Sequence, residues 1–173
     1  AALGADAIIT VTAAGSTYYD RYPDLSAANW INVHAYEDGV HVGPGKELGQ
    51  PSGFDYFVKC AGLWKTKYPA SKIVMGIPAF GLRYNSLDDN GNNLNWTSYN
   101  YIPYRDILAA VPTAASQEYA AISKGVYFNG VPLVTQKAAW LKQNGFHGAY
   151  IWMGEYDVTG EQSLTANIFN SLK

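Results

Sequence analysis

The chain has 173 residues, one domain's worth, enough to bury a sizeable core. Twelve Lys and Arg against fourteen Asp and Glu give a formal charge of -2, so there is no basic field to hold a phosphate backbone, and nucleic acid is not an expected partner. No apolar run approaches the roughly 18 residues of a membrane helix, the amino end does not read as a secretory signal, and a single cysteine, Cys60, excludes an internal disulfide and a multi-thiolate metal site.

In chain order, Ala7 to Thr12 is a continuous β-branched run, the pattern of a strand covered on both faces. Trp30 to Tyr36 is a second apolar run. From Gly53 to Tyr68, Phe54, Phe57, Val58, Ala61, Leu63 and Trp64 fall near a helical period, and Pro69 ends it. Lys72 to Pro78 is a third strand. From Asn85 to Gly130 the alternation breaks: Leu87 to Asn93 is turn chemistry, followed by a short helix around Tyr104 to Val111 and a hairpin around Val126 to Leu133. A helix from about Thr135 to Gln143 stops at Asn144-Gly145. Gly148 to Trp152 is the fourth strand, and Leu164, Ile168 and Leu172 at four-residue steps predict a final helix.

Strand followed by helix, repeated, predicts a parallel sheet with helices on its faces. Setting aside the 46 residues from 85 to 130 as an insertion leaves 127, about half of the roughly 250 residues of a closed eight-unit barrel. The expected division is 1–84 for three strand units, 85–130 for the insertion and 131–173 for the last helix, strand and helix.

Functional groups in such barrels sit at the carboxyl ends of the strands. The second strand ends in Tyr36-Glu37-Asp38, a phenol beside two carboxylates; the alternative is a tyrosine capping the core before an acidic turn. The third exits through Gly76 to Tyr84, which is expected to present Phe80, Arg83 and Tyr84 toward the mouth. The fourth ends in Trp152-Met153, where an indole either floors a pocket under a sugar ring or packs in the core. Fourteen Tyr and five Trp beside six Phe leave the same choice open for the chain as a whole, amphipathic core or wet groove. His34, Glu37 and His41 are metal-ligand types, but they do not share a helical face, and no metal or cofactor is expected. Ser86 to Gly91 imitates a calcium loop, with Thr97 where its bidentate Glu belongs, and reads as a plain turn.

These strand ends together resemble the carboxyl-terminal half of a family 18 glycoside hydrolase, the chitinase and endo-β-N-acetylglucosaminidase group. Ile31-Asn32-Val33-His34-Ala35-Tyr36-Glu37 resembles the Met-x-Tyr-Asp motif of that family's sixth strand, Lys72 to Gly81 is similar to the seventh strand and its Gly-x-Pro-x-(Tyr/Phe)-Gly exit, and Gly148 to Trp152 resembles the eighth. The resemblance covers nearly the whole chain and implies an α/β fold, strands five to eight of a (β/α)8 TIM barrel with a small α+β insertion. It implies a substrate-assisted retaining hydrolase acting on β-1,4-linked N-acetylglucosamine, with Tyr36 holding the acetamido group, Glu37 beside it, Trp152 under the sugar, and Phe80, Arg83, Tyr84 and Met153 as further substrate contacts. His34 replaces the family's Met, Glu37 its Asp, and Leu82 stands where Arg is common, with Arg83 one place later. The family's acidic motif, Asp-x-x-Asp-x-Asp-x-Glu, does not occur in these 173 residues. The chain by itself is therefore expected to be inactive, its partners being the amino-terminal half barrel and an N-acetylglucosamine saccharide. The resemblance also implies a secreted, periplasmic or cell-surface parent. A non-catalytic lectin of the same fold, and a self-contained doubly wound α/β domain in which Tyr36 and Trp152 merely pack, are the alternatives.

Overall fold

A computed structural model describes residues 4, 6–37, 49–85, 99–122 and 125–173. Strands β1 (Thr10–Ala14), β2 (Trp30–His34), β3 (Ile73–Pro78) and β8 (Gly148–Trp152) form a parallel sheet in the order β1-β2-β3-β8. Their alternation sorts the side chains. On one face Ile31, Val33, Ala35, Ile73, Met75 and Ile77 are fully buried. Helices α1 (Phe54–Lys65), α3 (Val131–Gln143) and α4 (Leu164–Leu172) supply Phe57, Trp64, Val134, Ala138, Leu141, Leu164 and Ile168 to the same core. The Trp64 indole N–H donates to the Ala14 carbonyl at 2.9 Å, which ties α1 to the end of β1. Asp157 accepts from the backbone N–H groups of Val158, Leu164 and Thr165, and Ser163 caps α4 through Ala166 N–H, so the turn after β8 is bound to the last helix.

The chain leaves this sheet at Ala79. Its N–H donates to the Trp152 carbonyl at 2.7 Å and its carbonyl accepts from Tyr104 N–H at 2.9 Å. Beyond it a second, antiparallel sheet runs β5-β4-β7-β6, built from β4 (Phe80–Tyr84), β5 (Tyr99–Pro103), β6 (Tyr119–Ala120) and β7 (Val126–Tyr127), with α2 (Tyr104–Ala110) following β5.

Four expectations are corrected. The first strand lies later than Ala7 to Thr12, and Ile8 and Ile9 are 65% and 47% exposed: a β-branched run is not buried unless strands flank it. Between β1 and β2 the connection carries a short 3-10 turn, Tyr19–Arg21, and no α-helix. The hairpin around Val126 to Leu133 is broken because Val131 begins α3, where Pro132 fits the first turn; β7 pairs with β6 instead. The exit of the third strand is not a loop at a mouth but strand β4, which leaves Phe80 and Tyr84 only 3% and 1% exposed. The turn chemistry of Leu87 to Asn93, the calcium-like run, Asp38 and His41 lie outside the described residues.

Candidate functional site

The face of the parallel sheet opposite the core carries different chemistry. Asn32, His34 and Tyr36 alternate with the buried Ile31, Val33 and Ala35, and Tyr150 and Trp152 follow the same step on β8. With Thr12 of β1 these five side chains line one cavity of about 460 Å³. Gly76 of β3 pairs with Tyr150, and it has to be glycine: a Cβ there would lie 2.6 Å from the Tyr150 hydroxyl and 2.8 Å from Cε1 of Tyr36. Two phenols thus close over a bare strand, with the Trp152 indole, 51% exposed, at the strand terminus. Within this chain the indole is not packed in the core.

The Tyr36 ring is 1% exposed, tilted against His34 at 3.7 Å between centroids and edge-on to Phe80 at 5.8 Å. Burial, then the neighbouring Tyr150 and Glu37, push its pKa well above that of an ordinary phenol. Near neutral pH it is therefore an O–H donor. The Tyr150 hydroxyl, shifted upward by burial and partly back by the neighbouring Tyr36 hydroxyl, is buried without a well-formed hydrogen bond to the described residues. A buried unpaired polar atom on a cavity wall costs free energy that a ligand atom can return.

Glu37 turns away from the strand in the left-handed region, φ 71, uncommon for a residue with a Cβ. Its N–H donates to the Pro51 carbonyl at 2.7 Å. The Tyr101 hydroxyl of β5 donates to Oε1, the Tyr99 hydroxyl approaches at 3.5 Å, and His34 Nε2 lies 3.8 Å from Oε2. Burial raises the carboxyl pKa, but contacts with His34, Tyr101 and Tyr99 outweigh it and hold the group below the usual range. The carboxylate is thus anchored to the second sheet and is not among the groups lining the cavity. Among the described residues no three His, Cys, Asp or Glu side chains come together as a metal site.

Of the residues singled out in sequence, the structure brings Tyr36 and Trp152 to one cavity and places Glu37 behind His34. Phe80 packs between Tyr36 and Tyr101, and the Tyr84 hydroxyl donates to the Gly49 carbonyl at 2.9 Å, its pKa pushed up to about 12 by burial. Both support the wall rather than face its opening. Arg83 alternates onto the opposite face of β4, and Met153 does not line the cavity. Thr12, Asn32, His34, Tyr150 and Gly76 were missed as site residues. The two-residue step back from Tyr36 and Trp152 was the available signal. Tyr99 and Tyr101 carried none, because only the second sheet brings them to Glu37.

No family model matches the sequence. Endochitinase 1 of Metarhizium robertsii is 23% identical over 163 residues, covering 84% of this chain and 37% of that protein. A GH18 chitinase from the chitin utilization locus of Flavobacterium johnsoniae superposes with a TM-score of 0.75 at 26% identity, over 95% of this chain and 50% of its own. A chitinase from Bacteroides thetaiotaomicron has the same fold, with a TM-score of 0.74 at 23% identity, over 99% and 54%. The chain spans about half the length of the solved chitinases and less of the curated relative. In sequence and fold, over most of its length, the chain is similar to chitinases, among them one of the GH18 family.

Proposed function

We propose that this chain is strands five to eight, with their insertion, of a (β/α)8-barrel glycoside hydrolase that cleaves β-1,4-linked N-acetylglucosamine with substrate assistance. The observation that carries this reading is the cavity at the carboxyl ends of parallel strands, where two phenols and a half-exposed indole converge. Four parallel strands are half of eight, and β1 and β8 are both edges of the sheet. The remaining strands would pair there, and an open edge is otherwise a liability.

In this mechanism the acetamido oxygen of the substrate attacks the anomeric carbon as the glycosidic C–O bond breaks, and the departing oxygen takes its proton from a carboxylic acid on the other half of the barrel. Water then opens the cyclic intermediate, so two inversions give retention. Tyr36, protonated throughout, donates to the acetamido group and holds it in line. Tyr150 offers a second hydroxyl. Trp152 supports the sugar ring, its electron-rich face meeting axial C–H groups. Glu37, held anionic by Tyr101, sets the field beside Tyr36. A polymeric substrate would place the parent outside the cytoplasm, in agreement with the secreted, periplasmic or surface location expected above.

The test is hydrolysis of a chitooligosaccharide by the full-length protein. Covering roughly 100 Å² of indole at about 25 cal/mol per Å² contributes about 2.5 kcal/mol, so Trp152→Ala should lower kcat/KM by nearly two orders of magnitude. Tyr18→Ala, which removes a 57% exposed ring outside the cavity, should change it less than twofold. Equal effects would refute the site. Among the described residues no carboxylate lines the cavity, which favours one other reading, a saccharide-binding protein of the same fold. It predicts binding without turnover in a full-length protein whose acidic motif does not end in Glu.

A further inference from the structure

We propose that Lys137, on the far side of the core from the cavity, is a positioning residue for Tyr36 and Glu37. Its place on α3 is an apolar one: Leu133, Val134, Ala138 and Leu141 share the buried side, and Lys137 itself is 0% exposed with its Nζ 4.9 Å from the centre of the Phe57 ring. Removing an ammonium group from water costs several kcal/mol, and a Leu or Met would fill the same volume without that cost. No ion pair to Lys137 occurs among the described residues. Instead its Nζ lies within hydrogen-bond distance of three oxygen atoms, the Ser52 carbonyl at 2.5 Å, the Ser52 hydroxyl at 2.8 Å and Oδ1 of Asn129 at 2.6 Å, and burial holds its pKa well below that of an ordinary lysine.

Ser52 passes this constraint to the site. With its oxygen occupied by Lys137, its own O–H points to the Ala35 carbonyl at 2.7 Å. The preceding residue, Pro51, accepts from Glu37 N–H at 2.7 Å. Tyr36 is thereby bracketed by two hydrogen bonds to one short segment, and that segment is clamped by the buried amine. The bracket also holds Glu37 at φ 71, a left-handed conformation that a residue with a Cβ keeps only under such restraint. Through Asn129 the same amine reaches Gln50, which in turn donates to the Glu118 carboxylate at 2.9 Å, so the inserted region is tied to the same point.

The inference rests on the reading of Tyr36 and Glu37 given above, and the test separates the two. In the full-length protein, Lys137→Met and Ser52→Ala should each speed hydrogen exchange at the Glu37 amide at least tenfold while the Met75 amide in the core strand is unchanged. Each should lower kcat on a chitooligosaccharide by about 10–100-fold with KM within threefold, the loss expected from an ångström-scale misplacement. The double variant should be no worse than the poorer single one, as for groups acting in series. Ser52→Ala removes only a hydroxyl and keeps the test open if Lys137→Met does not fold. An unchanged Glu37 exchange rate in the folded variants, or a change in KM alone, overturns the proposal. A wild-type protein without turnover would overturn the hydrolase reading, and the exchange measurement would still decide this one.

Discussion

The two faces of the parallel sheet are made from the same strands by alternate residues, yet they do opposite things. Toward the helices, Ile31, Val33, Ala35, Met75 and Ile77 are sealed from water and make ordinary apolar contacts. Toward the cavity, Asn32, His34, Tyr36, Tyr150 and Trp152 carry hydroxyl, amide, imidazole and indole groups, one of them a buried hydroxyl that makes no hydrogen bond to the described residues. One face is optimised for burial and the other holds polar groups that burial alone would select against. A strand can therefore change its function side without changing its stability side, because the two are separated by one residue.

Substitutions on the two faces should separate stability from activity. The largest effect belongs to the core side: Trp64→Ala empties a fully buried site and loses the bond to Ala14, and should destabilise the fold by about 3–5 kcal/mol in denaturant unfolding. A loss under about 1 kcal/mol would show that α1 does not hold the sheet. On the cavity side Tyr36→Phe should reverse the pattern, lowering kcat of the full-length protein by roughly 100- to 1000-fold with unfolding free energy changed by less than about 1.5 kcal/mol. An unchanged rate removes Tyr36 from the chemistry.

Gly76→Ala probes the boundary between the faces. The added methyl meets both phenols, and overpacking of this kind costs about 1–3 kcal/mol. Turnover should fall with stability, in contrast to either preceding variant, and a crystal structure should show Tyr36 and Tyr150 displaced. Glu37→Gln should give the smallest effect on the fold. A carboxyl held below its usual pKa in the folded state contributes stability above the unfolded value near 4.5, and that contribution is lost as pH falls through the folded pKa. The variant lacks this term, so its urea midpoint should fall less steeply between pH 5 and pH 3 than that of the wild type. Parallel curves would mean that Tyr101 and His34 do not stabilise the anion.

Much of the parallel sheet was legible in advance. Gly148 to Trp152 and Lys72 to Pro78 fall within a residue of the strands found, because continuous apolar runs bounded by turn residues have few other uses. The Phe54, Phe57, Ala61 and Trp64 spacing marked α1 for the same reason. The hairpin that became the start of α3 failed because Val126, Phe128, Val131 and Leu133 suit a strand as well as a helix. Phe80 and Tyr84 were misplaced because whether an aromatic after a Gly-Pro exit faces solvent or wall depends on the strands beside it, here β5 and β7.

The local pattern of the chain alone determined most of the parallel strands and the helix α1, and it set Tyr36 just past β2 and Trp152 at the end of β8. That information is written in side-chain periodicity and turn chemistry, which act over a few residues. Only the tertiary structure decided that Tyr101 bonds Glu37, that Gly76 makes room for two phenols, and that Lys137 reaches Ser52. Those contacts join residues dozens of positions apart, and hydrogen bonds and packing depend on distance in space, which sequence separation does not encode.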